Sequence, residues 1–136
     1  LLSGGLRVLL VNQQVSRSQW FEYLAMSRIA VLLPNYTEGF YLPALEAMNY
    51  CDLVVVPDCV GNRGFCSHEK NCIMPEYNRE VILEGTMHAI ELLRIEHVLT
   101  DLRREMLETV RQHNLASERK AFLALMDNLP KLWSQL

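Results

Sequence analysis

RIAVLLPNYTEGFYLPALEAMNY, residues 28–50, places an apolar run, a polar loop and a helical pattern one after another. The run 28–34 is almost continuously apolar and ends at a proline, which is typical of a strand buried on both faces. The loop at 35–39 leads directly into a helix predicted over 41–50. Pro43 falls in the first turn of that helix, where its missing N–H leaves no hydrogen bond unmade. The stretch therefore predicts a strand, loop and helix in succession.

Similar patterns flank this unit on both sides. Buried strands are predicted at three further places: 6–13 (LRVLLVNQ), 53–57 (LVVVP) and, as a short strand, 71–75 (NCIMP). A helix is predicted over 16–27, with Ser16 or Ser18 as its N-cap. Strands that alternate with helices through short connections predict an α/β protein with a Rossmann-like parallel sheet.

Residues 78–136 carry a different pattern, in which apolar residues recur at every third or fourth position. This periodicity predicts two or three helices, with a break at Asn114 and with Ser117 as the N-cap of the last helix. We therefore expect one domain over residues 1–136, in which an α/β part (1–77) is followed by a helical part.

Composition and charge narrow the class of protein. Half of the 136 residues are apolar and 21% are charged, as in typical globular proteins. The net charge of −3 gives no indication of nucleic-acid binding, and no apolar run approaches the roughly 20 residues of a membrane span. Because the first residues lack an initiator methionine and a signal peptide, we expect a piece of a longer, cytoplasmic protein.

Four cysteines lie close together in the sequence, with a histidine among them: Cys51, Cys59, Cys66, Cys72 and His68. Thiolates and imidazoles are preferred zinc ligands, so a small zinc site is one interpretation. The cysteines contain no C-x2-C pair, however, and nothing in the sequence indicates an oxidising compartment that would favour disulfides. The remaining interpretation is that they are free thiols, buried as small apolar side chains. We expect no bound metal.

The loop before the helix at 41–50 has features of an anion site. In parallel sheets, ligands bind where the carboxyl ends of strands meet the starts of helices. Several backbone amides at this helix start lack helical partners, namely those of Gly39, Phe40, Tyr41 and Leu42. Together with the helix dipole, such amides favour a phosphate or diphosphate.

Two glutamates flank these amides, although a carboxylate is repelled by a phosphate. Glu46 lies one turn into the helix on the side of Leu42, where it could accept hydrogen bonds from the 2′,3′-diol of a ribose. Glu38 could accept hydroxyls of a second sugar across the diphosphate. This arrangement indicates a nucleotide-sugar. The structural alternatives are an exposed helix glutamate at 46 and a charge stabilised by the helix dipole at 38.

The stretch PNYTEGFYLPALEAM (34–48) closely resembles the E-x7-E motif of the retaining glycosyltransferases of family 4, the group 1 glycosyltransferases. The following LVVVPDCVGNRG (53–64) is similar to the next strand of that family and its loop of small residues. The resemblance is specific from about residue 28 to residue 64 and becomes generic in the helical tail.

The resemblance implies a fold and a reaction. In that family two Rossmann-like domains face each other across a cleft, the glycosyltransferase-B (GT-B) architecture, and this chain would be most of the C-terminal, donor-binding domain. Glu38 would lie beside the donor sugar and the reacting centre, the amides from Gly39 to Leu42 would contact sugar and phosphate, and Glu46 would hold the ribose. The implied reaction transfers a glycosyl group, with retention, from a nucleoside-diphosphate sugar and needs no metal or other cofactor.

The chain also departs from the family pattern. The family's basic pair, an arginine and a lysine, is not matched by Arg7 or Arg17, so we expect it before residue 1, along with the N-terminal acceptor-binding domain. Cys51 and Leu53 stand where the family has glycine and proline. Because a cysteine would be strained at a helix end with positive φ, a different turn is expected there.

Other expectations concern charge and partners. Arg63 or Lys70 could supply local positive charge to a diphosphate. Apolar surface left by an absent domain could make the chain form a homodimer, and the longer protein could lie peripherally on a membrane. The alternative function is a non-catalytic module with the same fold that binds a nucleotide or another protein.

Overall fold

The computed structural model describes residues 5–133 of the chain. Seven elements follow in order: α1 (Arg17–Met26), β1 (Ile29–Val31), α2 (Leu42–Tyr50), β2 (Leu53–Val55), α3 (Arg79–Leu92), α4 (Glu96–Gln112) and α5 (Leu115–Trp133). The two strands pair in parallel, in a register that joins Ile29 to Leu53 and Val31 to Val55. The chain is therefore a mixed α/β protein that is largely helical, as the alternating pattern predicted in coarse form.

The first helix begins where the sequence predicted. Ser16 is the N-cap of α1 and accepts a hydrogen bond from the amide of Gln19 at 3.3 Å. The Gln19 side chain accepts one from the amide of Ser16 at 3.1 Å. This reciprocal pair is a capping box, which satisfies two amides at the helix start and selects Ser16 over Ser18 as the cap.

The core lies on both faces of β2. Val54 and Val56 belong to the cluster formed with α1, α2 and Met106 of α4. Leu53 and Val55 point to the other face, where they pack with residues of α3 and α4. Because successive side chains of a strand alternate between faces, helices on both sides bury all three residues of β2.

The prediction of a strand over 6–13 is wrong. These residues have no regular secondary structure, and the apolar side chains among residues 6–11 are between 37% and 78% exposed. A strand buried on both faces needs a neighbouring strand for its backbone and helices for its side chains. Within residues 5–133, no hydrogen bond joins the backbone of 6–13 to the sheet, so the apolar run has neither.

The short strand predicted at 71–75 is reduced to single bridges. Ile73 pairs with Val55 in parallel, its amide donates to the carbonyl of Val54 at 2.8 Å, and its carbonyl accepts from Val56 at 3.0 Å. Ile73 therefore forms a single-residue bridge on the edge of β2 that does not pair with β1. Two full strands and one bridge do not define a Rossmann-like topology, which therefore stays a prediction.

The helical half contains three helices, with the predicted break at Asn114. The cap is different from the one predicted: the Asn114 side-chain oxygen accepts from the amide of Ser117 at 2.9 Å, and Ser117 already lies inside α5. Asparagine is as good an N-cap as serine, so the sequence signal applied equally to either residue. Nearly all described side chains of α5 are exposed.

The other two helices of this half belong to the main body. The Arg103 guanidinium of α4 donates to the carbonyls of Met48 (3.1 Å), Asn49 (3.2 Å) and Cys51 at the end of α2. A cation is favourable there because the carbonyl end of a helix carries partial negative charge. Cys51 itself has φ −93° and ψ 159°, an extended conformation, so the predicted absence of a positive-φ turn is confirmed.

Candidate functional site

The candidate site is built from two loops that follow the two parallel strands. The first loop, 35–41, leaves β1 and enters α2; the second, 57–66, follows β2. Two backbone hydrogen bonds join them. The amide of Tyr41 donates to the carbonyl of Gly61 at 3.1 Å, and the amide of Val60 donates to the carbonyl of Tyr36 at 3.1 Å. The motif loop is therefore held in place by residues about 20 positions further along the chain.

Gly61 allows the two loops to touch. A Cβ atom at this position would lie 2.7 Å from the carbonyl oxygen of Gly39 and 2.8 Å from that of Glu38. Both distances are shorter than a carbon atom tolerates, so no residue other than glycine fits without moving the motif loop. The sequence identified this loop only as rich in small residues and gave no signal that Gly61 was the position in contact.

The second loop is folded around a buried asparagine. Asn62 is fully buried; its side-chain oxygen accepts from the amide of Cys59 at 3.2 Å, and its amide group donates to the carbonyl of Pro57 at 2.9 Å. Buried polar side chains are stable only when they are hydrogen-bonded in this way. Asn62 was not singled out from the sequence, because asparagines are mostly exposed and its buried position depends on how this loop folds.

The amides expected to bind phosphate divide into two pairs. Those of Tyr41 and Leu42 are used inside the protein, by the carbonyls of Gly61 and Phe40 (3.1 Å each). The amides of Gly39 and Phe40 have no hydrogen-bond partner among residues 5–133. Both residues are exposed, so these two donors are the ones available to a ligand.

Glu46 is held by two donors from α1. The Trp20 indole N–H donates to Oε2 at 2.8 Å, and the Arg17 guanidinium donates to Oε1 at 2.8 Å. The Glu46 side chain is only 12% exposed, whereas that of Arg17 is 70% exposed and rests over the Phe21 ring. Neither partner was predicted, since both contacts join residues more than 25 positions apart.

Glu38 lies at the other end of the motif and is only partly buried. Within the described part of the chain its carboxylate makes no hydrogen bond or ion pair. It is close enough to Tyr41 to act on its ionisation: burial, and then the negative charge of Glu38, raise the pKa of Tyr41 to about 12. Tyr41 is therefore a neutral hydroxyl at physiological pH, and Glu38 is free to accept a hydrogen bond.

Phe40 connects the motif loop to the end of α4. Its ring centroid lies 5.3 Å from that of Phe65 and 6.2 Å from that of His113. Beside this cluster is an open cavity of ≈ 180 Å³ between the second loop and α4, lined in part by Arg63, Lys70 and His113. Neither Glu38 nor Glu46 lines it, so the cavity is adjacent to the predicted site and separate from it.

The two cations suggested from the sequence are both paired with carboxylates. Arg63 forms two hydrogen bonds with Asp58, at 2.8 and 2.9 Å, which hold the pKa of Asp58 below its usual value. Lys70 lies 3.8 Å from Glu105. Each could approach a diphosphate only by leaving its partner.

All four cysteines are buried free thiols. Burial raises the pKa of Cys51 to about 11, and the hydrogen bond between the Cys66 and Cys72 thiols, followed by burial, raises the pKa of Cys66. A buried thiol whose pKa is raised, as those of Cys51 and Cys66 are, is a poor nucleophile and a poor metal ligand. Among the described residues, no three His, Cys, Asp or Glu side chains are arranged to hold a metal ion.

Comparison of the chain with protein-family models, with curated proteins and with solved structures finds no match. None of the helices in the described part of the chain is both long and apolar enough to cross a membrane. The class of protein therefore rests on the motif and on the geometry around it.

Proposed function

We propose that this chain is the donor-binding part of a retaining glycosyltransferase, which transfers a sugar from a nucleoside-diphosphate sugar to an acceptor. The observation that carries the proposal is the E-x7-E segment itself. It runs from the carboxyl end of a parallel strand into a helix, and between its two glutamates lie two amides that have no hydrogen-bond partner among residues 5–133. Ligands of parallel α/β sheets bind at this position.

Each motif residue has a role in the proposal. The amides of Gly39 and Phe40 bind the diphosphate, with the dipole of α2 behind them. Glu46 accepts the ribose hydroxyls. Glu38 lies by the donor sugar, where its carboxylate would stabilise positive charge that develops at the anomeric carbon. Tyr41 and Leu42 direct their amides inward and would contribute their side chains and the shape of the loop.

The remaining parts of the site would come from elsewhere in a longer protein. The proposal includes a GT-B architecture, an N-terminal domain that binds the acceptor, and a basic pair before residue 1 that neutralises the diphosphate. It includes no metal or other cofactor. The protein would act in the cytoplasm or peripherally at a membrane, and the chain alone would form a homodimer through its exposed apolar side chains.

A second candidate is a non-catalytic module that binds another protein. The observation that favours it is α5, which leaves Phe122, Leu123, Leu125, Met126 and Trp133 exposed. Large exposed apolar side chains grouped on one helix mark interaction sites in many proteins. In this case Glu38 would have no chemical role, and its replacement would leave the function intact.

The deciding experiment is a calorimetric titration with UDP-, GDP- and dTDP-sugars. Both the 136-residue chain and the complete protein are titrated, because the basic pair is expected before residue 1. Glu46→Ala should weaken binding at least about tenfold, the loss expected for hydrogen bonds to a charged acceptor. Glu84→Ala, at an exposed glutamate of α3, is the matched control and should bind as the wild type does.

A second arm separates catalysis from binding. The complete protein is incubated with the donor that binds, with water as the acceptor of the glycosyl group, and release of nucleoside diphosphate is followed with and without Glu38→Gln. A catalytic glutamate predicts a large loss of turnover with donor affinity almost unchanged. If the complete protein binds none of the three donors, the glycosyltransferase proposal is wrong and the protein-binding module is favoured.

A further inference from the structure

We propose that Trp20 is a positioning residue for the donor nucleotide: its indole N–H fixes the Glu46 carboxylate so that the carboxylate accepts both ribose hydroxyls. This inference rests on the function proposed above. Its physical basis is the 2.8 Å hydrogen bond from Trp20 Nε1 to Glu46 Oε2, which joins α1 to α2.

The two donors on Glu46 differ in how firmly they are held. Trp20 is part of the core packing around α1 and α2, and an indole has one N–H in a fixed position on a rigid ring. Arg17 reaches Oε1 from solvent at the end of a flexible side chain that is 70% exposed. Because exposed ion pairs contribute little, Arg17 can leave when a ligand arrives, whereas Trp20 stays.

The number of acceptor sites allows a ligand to bind beside both donors. An ionised carboxylate has about four lone-pair positions, and the protein uses one on each oxygen. Two positions remain, one on each oxygen, which is the number that a vicinal diol requires. With Oε2 anchored, the carboxylate cannot rotate about its terminal torsion, so both free positions keep one orientation.

Packing alone would not require this residue to be tryptophan. Phenylalanine could fill much of the same space between the helices, but it would leave Oε2 of a nearly buried carboxylate without its donor. A carboxylate at 12% exposure needs hydrogen bonds to remain charged at low cost. The hydrogen bond therefore satisfies an oxygen of the side chain that the proposed ligand contacts.

The test compares the affinity for a nucleotide that carries ribose with the affinity for the same nucleotide without the 2′ and 3′ hydroxyls. UDP and GDP, and their 2′,3′-dideoxy forms, are titrated into the complete protein as wild type, Trp20→Phe and Arg17→Gln. We expect the wild type to bind the ribose form about tenfold more tightly or better. In Trp20→Phe this ratio should fall toward one while affinity for the dideoxy form is kept; in Arg17→Gln the ratio should persist.

A merely structural role for Trp20 would change both affinities together, or only the melting temperature. If Trp20→Phe does not fold, site-specific benzothienylalanine at position 20 replaces it, since this residue keeps two fused rings and lacks the N–H. A Trp20 variant that folds and keeps the full ratio overturns the inference and leaves the proposed function intact. A wild type that binds only a dTDP-sugar overturns this inference alone, since that nucleotide has no vicinal diol. Failure of the wild type to bind UDP, GDP and all three donor sugars removes the proposed function, and this inference with it.

Discussion

Gly61→Ala tests the contact that places the motif loop. The added Cβ would meet the carbonyl oxygens of Gly39 and Glu38 at 2.7 and 2.8 Å, both of them backbone atoms. Non-bonded heavy atoms are most stable near 3.5 Å, so the two loops must separate by roughly 0.5 Å or more. That movement would also stretch the hydrogen bond from the Tyr41 amide to the Gly61 carbonyl.

The expected loss of stability follows from adding one carbon atom to a closely packed contact. Forcing one extra carbon into a closed contact destabilises a protein by about 1–3 kcal/mol. For a chain of this length, each kcal/mol lowers Tm by about 4 °C. We therefore expect Gly61→Ala to lower Tm by roughly 4–12 °C and to weaken nucleotide-sugar binding, because the amides of Gly39 and Phe40 move with the loop.

Gly64→Ala provides a matched control in the same loop. A Cβ at Gly64 would meet no atom within 4 Å, and among the described glycines only Gly5 has a positive φ. Alanine at position 64 should therefore leave the free energy of unfolding unchanged or raise it by up to about 1 kcal/mol, and Tm should stay the same or rise with it. Both variants are measured by thermal unfolding followed by circular dichroism. Equal Tm values for the two variants would refute the close contact between the loops.

Three further predictions concern the supporting structure. Arg103→Gln should lower the free energy of unfolding by about 2 kcal/mol, because three carbonyls at the end of α2 lose a charged donor. Arg104→Gln is the control: this arginine forms an exposed ion pair, so its replacement should change the free energy of unfolding little. Urea unfolding measures both variants. The pKa of Tyr41 lies above that of an unfolded tyrosine, so the folded state holds its proton more tightly. The stability this provides is complete below pH 10 and is lost as the pH rises from 10 to 12. Tyr41→Phe should therefore lose less stability than the wild type between pH 9 and pH 11, and a parallel loss in both proteins would contradict the assignment. Backbone amides of α5 should exchange with solvent much faster than those of α4, because α5 buries almost no side chains. Hydrogen-exchange mass spectrometry measures both helices, and equal protection would show that α5 packs against another surface in solution.

Local signals were sufficient for most of the elements. The serine cap at 16, the proline in the first turn of α2 and the continuous apolar run of β2 each depend on residues within one turn or one strand. Their physical causes are local hydrogen bonding, a fixed φ and burial on both faces. For the same reason the motif loop was placed correctly between a parallel strand and a helix.

The strand predicted at 6–13 failed because its signal was not local. An apolar run shows that a segment can be buried, but burial needs a partner elsewhere in the chain. The exposed apolar side chains of residues 6–11 have none within residues 5–133. The apolar pattern of α5 is another case, since a helical periodicity predicts a face for packing without specifying what packs against it.

Sequence patterns could not predict the contacts that support the candidate site, because these contacts join residues far apart in the chain. The contacts support two separate parts of the site. Gly61 supports the loop whose amides would bind a diphosphate, and it acts through the backbone of the segment after β2. Trp20 supports the Glu46 carboxylate from α1. The two supports share no hydrogen bond and belong to different elements, the loop after β2 and α1. Losses at separate, unconnected contacts usually add, so removing both supports should weaken nucleotide binding by the product of the two separate factors.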